Sequence, residues 1–533
     1  VQIQEALKKP TDRLRLKILN PEREVEVLEG ETLLQCARRA GVDLTAACAG
    51  QGVCGGCLIR IISGSTIPAE AGERSGVGGE RPRACRVRPV TDMVVELSPK
   101  DSVSAPRTEI AEPDDPACPF DPVVPLVPGK RVLGLSIDLG TTNLAGSLTD
   151  LESGKRLARR GMANPQAAYG LDVISRINYA IRSPGGGAEL RSAVVRAIQT
   201  MAQALCEEVS AAPAEIADIA LCGNTAMHHL MLGLPVRQLG RAPFIPASCT
   251  AMDMKALDIG LEVMPGANVH FLPNIGGFVG GDHVATLLAT QRHWLNRTCL
   301  VIDIGTNTEL SLIHDGAIVT ASAASGPALE GGNISCGMRA AEGAIEKVRL
   351  IDGEIVTQVI GGVRPVGMCG SGVLEAVSAL RRAGIINHRG YLHPGRPDVR
   401  EIAGVREFCF TDEVTITQND VRAVLLAKAA IRAATDLLLR EMGRSEIDLE
   451  EIVIAGAFGA YIDIASAIGI GLLPALPRER FTQVGNAAGA GVRKALVSAM
   501  MRDEAVRLAR RCRHVELNGL PGFQKAFIGR IAI

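Results

Sequence analysis

The chain of 533 residues is long enough for several domains, and 47% hydrophobic against 22% charged residues can fill large buried cores. A formal net charge of −1 offers no electrostatic footprint for nucleic acid, so none is expected as a partner. No apolar run approaches the roughly twenty residues of a membrane-spanning helix, and the first residues show no basic stretch followed by an apolar one, so neither a membrane nor an export route is expected.

RLRLKIL at 13–19 alternates, a turn follows at Asn20 and Pro21, and EVEVL at 24–28 alternates again, which predicts a hairpin. GETLLQCARRAG at 30–41 reads as a helix with Leu33, Leu34 and Ala37 on one side, and Cys36 within it as a packed thiol. CLIRII at 57–62 and MVVEL at 93–97 supply later strands, so residues 1–98 are expected to form a small β-grasp domain. Within it CAGQGVCGGC and RACR place Cys48, Cys54, Cys57 and Cys85 at gaps of five, two and twenty-seven residues. Four thiolates so spaced resemble the plant-type pattern that holds one [2Fe-2S] cluster. Tetrahedral zinc is the alternative reading of the same four residues. Glycines 50, 52, 55 and 56 favour the cluster, because a loop wrapping it needs positive φ and backbone N–H groups near sulfur. Fourteen cysteines, mostly in separate apolar segments, suggest a reducing compartment, and the cytoplasm is the expected location.

Residues 99–130 carry eight prolines and read as an extended tether on which a redox module could visit more than one docking position. Beyond it the sequence echoes itself. LGLSIDLGTTNLAGSLTD from 133 and CLVIDIGTNTELSLIHDG from 299 both run strand, Asp-x-Gly-Thr, strand, which predicts two similar lobes. One such turn alone is no more than a hairpin; two in matching contexts suggest nucleotide binding. Gly140 and Gly305 let the backbone close on phosphate, Thr141, Thr142 and Thr306 offer donors, and Asp138 and Asp303 can hold Mg²⁺ through water or orient a nucleophilic water. Gly331 and Gly332 in ASGPALEGGNISCGM read as a phosphate or ribose contact, and Gly456 and Gly459 in IAGAFGAYID as a surface against which a base can lie. There is no Walker-type loop, and no compact dinucleotide fingerprint opens a βαβ unit.

Taken together, CAGQGVCGGC with RACR, NPQAAYGLDVISRI, GNTAMHHLMLGL, LPNIGGFVGGDHVATLLA, DIGTNTEL, ASGPALEGGNISCGM, GMCGSG and IAGAFGAYID resemble the reductive activators of corrinoid proteins. The resemblance covers essentially the whole chain and implies a multidomain α+β and α/β protein: a β-grasp ferredoxin-like domain at 1–98, the Pro-rich linker at 99–130, and a two-lobed actin-like ATPase region. That region is expected as a middle domain at 131–205, holding the first phosphate motif, and an ATPase domain at 206–533. It also implies the activity, ATP-dependent one-electron reduction of Co(II) to Co(I) in the corrinoid protein of a methyltransferase system, fed by a low-potential electron donor. By the same resemblance Asp138 with Gly140 to Thr142 forms the first phosphate motif, Asp303 with Gly305, Thr306 and Asn307 the second, and Gly456 to Gly459 the adenosine motif.

The expected cofactors are a [2Fe-2S] cluster, ATP and Mg²⁺, and the expected assembly is a homodimer. Plant-type clusters lie near about −400 mV, and Co(I) is a stronger reductant than such a cluster comfortably makes. A shortfall of about 0.1 V costs roughly 2.3 kcal/mol per electron, within reach of a nucleotide-driven conformational change. No D-x-H-x-x-G corrinoid signature occurs, and His228 and His229 sit in an apolar helical stretch where packing is expected, so the corrinoid belongs to the partner. Two alternatives remain: an activator of radical dehydratases, which a second cluster at Cys336 or Cys369 would favour, and an ATP-responsive scaffold with a structural metal.

Overall fold

In the computed structural model, which describes residues 14–19, 22–42, 44, 57–69, 77–97, 118–126 and 129–533, the alternating segments near the start pair into one sheet. Strand Arg15–Leu19 lies antiparallel to Arg23–Glu26, with Leu16 opposite Val25, and parallel to Met93–Glu96. Arg60–Ser63 completes the sheet antiparallel to Met93–Glu96. Leu16, Ile18, Ile61 and Val95 close one core with Leu33, Leu34 and Ala37 of helix Leu33–Arg39. Thr32 starts that helix through a reciprocal pair: its hydroxyl accepts from Gln35 N, and the Gln35 side chain accepts from Thr32 N. Cys36 is buried in the same core, and burial pushes its thiol up to about 12, so it packs and does not react.

The chain divides into two units, Val1–Ser104 with Pro165–Ala193 and Ala105–Asn164 with Val194–Ile533. The first therefore joins the β-grasp module to a helical segment far along the chain. There the buried Arg176 of helix Val173–Arg182 donates from Nε to the Gly170 carbonyl at 2.8 Å. Arg38 places its guanidinium 5.0 Å from the centroid of the Tyr169 ring, a cation–π contact.

The second unit holds two six-stranded sheets. Their strand orders are Met252–Lys255, Asn268–Phe271, Ile216–Gly223, Leu133–Leu139, Asn143–Asp150, Arg156–Ala163 and Phe481–Gly485, Glu451–Ala455, Cys299–Ile304, Thr308–His314, Ala317–Ala323, Cys512–His514. In both, the aspartate-bearing strand opens an antiparallel meander of three and takes a parallel strand on its other side. The sequence echo is thus a repeat of the same strand unit. Helices Gly281–Trp294 and Ala487–Val497 share a core with Ala220 and Cys222 of the first sheet and Val301 and Val453 of the second. They approach so closely that any side chain at Gly491 would strike the Ala285 backbone. A continuous helix, Gly186–Glu208, runs through residues 205 and 206, so this fold offers no element boundary there.

Two further features bear on the linker and on pH. Residues 98–117 lie outside the described set, but 118–126 belong to the second unit, where Asp121 N donates to Val497 O, Ala499 N donates to Asp121 O, and the Ser498 hydroxyl donates to the Asp121 carboxylate. His228 and His229 are buried, as expected for packing residues. His229 Nδ1 bonds the Thr225 carbonyl while its Nε2 accepts from Ala247 N and Ser248 N, so its neutral form is the one the fold supports. Burial holds His229 below the usual imidazole range and takes both His228 and His283 down to about 3. Because these native values lie below the unfolded ones, their stabilisation is present above about pH 6.5 and fades as pH falls toward 3. At pH 5 His228 alone accounts for about 2 kcal/mol of that loss. His228→Leu should therefore flatten the stability curve between pH 7 and pH 5 by about that amount in denaturant titrations; an unchanged slope would refute the assignment.

Candidate functional site

Asp138 and Asp303 occupy the next-to-last positions of equivalent central strands, so each strand ends by delivering a carboxylate and then turns at once. The first turn is Gly140 to Thr142. Asn164 holds it by donating from Nδ2 to Gly140 O at 2.8 Å and from its backbone N to Thr142 O at 2.9 Å, and Asn224 Nδ2 donates to Thr141 Oγ1 at 2.7 Å. The second turn closes with Gly305 N on Asn307 O at 3.1 Å and is braced by the Ser325 hydroxyl on Gly305 O and Thr306 O. The two turns meet. Thr142 Oγ1 and Thr306 Oγ1 lie 2.9 Å apart, and both donate to Glu330 Oε2, at 3.4 and 2.6 Å.

Around them opens a cleft lined by Asp138, Gly140, Thr141, Thr142, Asp303, Gly305, Thr306, Asn307 and Gly456 among the residues singled out from sequence. Gly456 ends strand Glu451–Ala455 at φ +93°, and a Cβ there would collide with Ile304 O and come within 2.9 Å of Asp303 Oδ1. Only glycine permits that approach. Gly331, Gly332 and Gly459 are not among the lining residues. Gly331, at φ +82°, ends the single turn Pro327–Glu330, whereas Gly459 accepts a bond from Gln483 Nε2 at 2.8 Å.

Six polar lining residues were not singled out from sequence: Asn143, Asn224, Asp282, Glu309, Glu330 and Asn486. Asp282 stands in the first turn of helix Gly281–Trp294; burial, then the neighbouring Asp138 and Asp303 carboxylates, push it up to about 8. Burial likewise raises Asp303, against the pull of a 2.6 Å bond donated by Thr286 Oγ1, and carries Glu309 well above the carboxylate range. The described lining thus presents five carboxylates and no lysine or arginine. An anionic ligand can enter such a cleft only with a cation that offsets both charges, and oxygen donors of this kind suit Mg²⁺ held largely through water.

In the first unit, Cys57 and Cys85 are buried free thiols with their sulfurs 3.4 Å apart. Tetrahedral coordination with bonds of about 2.3 Å sets two sulfurs roughly 3.8 Å apart, so the pair fits a shared metal and is too far apart for a disulfide. The hydrogen bond with Cys85 is the main cause that brings Cys57 down to about 6, toward the thiolate a metal requires. Cys48 and Cys54, with Gly50, Gly52, Gly55 and Gly56, lie outside the described residues.

Three family models match in order: a 2Fe-2S iron-sulfur cluster binding domain at residues 16–90, the RACo middle region at 133–294, and the C-terminal domain of RACo, the ASKHA domain, at 297–533. The corrinoid activation enzyme RamQ of Eubacterium limosum is 39% identical over 416 residues, spanning 75% of this chain and 70% of that one. The [Co(II) methylated amine-specific corrinoid protein] reductase of Methanosarcina barkeri is 28% identical over 71% of this chain and 72% of its own. A solved structure of a reductive activator for corrinoid, iron-sulfur protein superposes over 98% of both chains with a TM-score of 0.72 at 29% identity. A ferredoxin domain, a middle region and an ASKHA domain in this order, with RamQ's identity over three quarters of the length, place the chain in the family of RACo-type reductive activators of corrinoid proteins.

Proposed function

We propose that the cleft between the two phosphate turns takes ATP with Mg²⁺ and that this nucleotide drives electron delivery to a partner's cobalt. The chain is an ATP-dependent corrinoid-protein reductase, which reduces Co(II) to Co(I) in the corrinoid protein of a methyltransferase system. The observation that carries the detailed reading is the meeting of the duplicated turns at Thr142 and Thr306 beside Asp138 and Asp303. Gly140, Thr141, Thr142, Gly305, Thr306 and Asn307 supply small side chains, hydroxyls and backbone N–H groups to the phosphates. Asp138 and Asp303 hold the hydrated Mg²⁺. Asp282, proton-bearing at neutral pH while the cleft holds its full set of carboxylates, is the group that can exchange a proton with water there. Gly456 gives the nucleoside close backbone approach with Gly459 behind it, and Gly331 and Gly332 shape the loop that carries Glu330.

Cys48, Cys54, Cys57 and Cys85 hold a [2Fe-2S] cluster, which when bound carries one electron at a time. An upstream low-potential donor supplies that electron. No helix among the described residues is long and apolar enough to cross a membrane. The protein works in the cytoplasm as a homodimer, and nucleic acid is not among its partners.

The test is anaerobic. The purified chain should contain two irons and two acid-labile sulfides. With a reductant, this protein and a Co(II) corrinoid partner, the Co(I) absorption should grow only when MgATP is added. One zinc without sulfide would overturn the cluster assignment, and Co(I) at equal rate without nucleotide would overturn the coupling.

A further inference from the structure

Glu330 carries an inference of its own. Its carboxylate accepts from the hydroxyls of both phosphate turns, Thr306 at 2.6 Å and Thr142 at 3.4 Å, and so stands where an anion bridging the two turns would stand. Those hydroxyls have one proton each, and a phosphate arriving at them meets a group of its own charge with no lysine or arginine among the lining residues to offset the pair. Both anions cannot hold the same donors.

The carboxylate also sits on a turn flanked by glycines and tied beyond them, where Ser335 N donates to Asp420 Oδ1 and Met338 N to Met368 O, bonds that a shift must break or carry along. Glu330 ends the single turn Pro327–Glu330, which lies between Gly326 at φ +72° and Gly331 at φ +82°. Beyond it Asn333, Ser335 and Arg339 face solvent. Burial raises the Glu330 carboxyl above its ordinary value, against the pull of the Thr306 and Thr142 hydroxyls and of the Arg339 charge, which favour its ionised form. On the other side the turn presses directly on a helix: a Cβ at Gly370, the first residue of Gly370–Arg382, would collide with Leu329 O. A shift of the turn must move that helix or part from it.

We propose that Glu330 is a specificity-determining residue, an internal stand-in for the terminal phosphate that only a nucleoside triphosphate displaces, with the 326–339 segment moving when it does. The proposal rests on the reading that the cleft binds MgATP. A diphosphate, one charged group shorter, leaves the carboxylate on the two hydroxyls and competes for less of the site. Glu330 is thus a tax that MgATP pays and MgADP escapes, which couples triphosphate entry to a shift of the turn.

The test measures binding, not turnover. MgATP and MgADP are titrated calorimetrically into the intact protein and into Glu330→Gln, which keeps the shape and removes the charge, with Glu330→Ala as a second variant in case glutamine misfolds. Cluster absorption and thermal unfolding report folding. Both variants should bind MgATP about tenfold tighter than the unaltered protein, with a smaller gain for MgADP, so the preference for triphosphate rises. Trypsin cleavage after Arg339 should respond to MgATP and not to MgADP in the unaltered protein. Weaker MgATP binding by both variants would make Glu330 a ligand-holding group and overturn the proposal, as would unchanged affinities. If the unaltered protein bound neither nucleotide, the nucleotide reading of the cleft would fail first, a result separable from either of these.

Discussion

Protein carrying Cys57→Ser and Cys85→Ser together should form no Co(I) with its corrinoid partner, even with MgATP and excess reductant, yet should bind MgATP with unaltered affinity. The two sulfurs converge to 3.4 Å in the β-grasp core, so replacing both removes half of the proposed four-thiolate set. Nucleotide binding survives because every residue lining the cleft lies in the second unit. Anaerobic cobalt spectra with and without MgATP, beside a calorimetric titration, decide it. Efficient Co(I) formation by the double variant would exclude the cysteine site as the route for the electron. Deleting residues 1–98 should give the same pair of results.

Asp303→Asn should lower MgATP hydrolysis by roughly a hundredfold or more while leaving cluster absorption unchanged. Asparagine preserves the size of the side chain and can still accept from Thr286 Oγ1, so the local packing stays intact. What goes is one desolvated carboxylate from a cleft lined by five carboxyl groups, and with it part of what raises Asp282 and Glu309. Thermal unfolding without nucleotide should therefore hold steady or rise. Hydrolysis at the unaltered rate would remove Asp303 from the reaction.

Much of this was legible in the sequence for a definite reason. Alternation marks strands that are buried on one face, and Leu16, Ile18, Ile61 and Val95 are the inward members of such patterns. The twin Asp-x-Gly-Thr turns marked the duplicated strand unit because strand, acid and tight turn must be adjacent in sequence to be adjacent in space. Asp282, Glu309 and Glu330 were in motifs already noticed, but an acid beside glycine at a helix start or inside a strand reads locally as a cap or a solvated face. Only the fold turns all three toward one cleft. The division of the second half was hidden likewise. Strand Ile216–Gly223 pairs with Leu133–Leu139 across about eighty residues, and no periodicity announces such a partner. The contact of Arg38 with Tyr169 is of the same long-range kind.

The fastening of Asp121 beside Ser498 joins two stretches 377 positions apart in the chain. Residues 118–126 can therefore take their place in the second unit only after residues 497–499 have been made, and a chain cut short before Val497 would leave Asp121 without the partners that hold it.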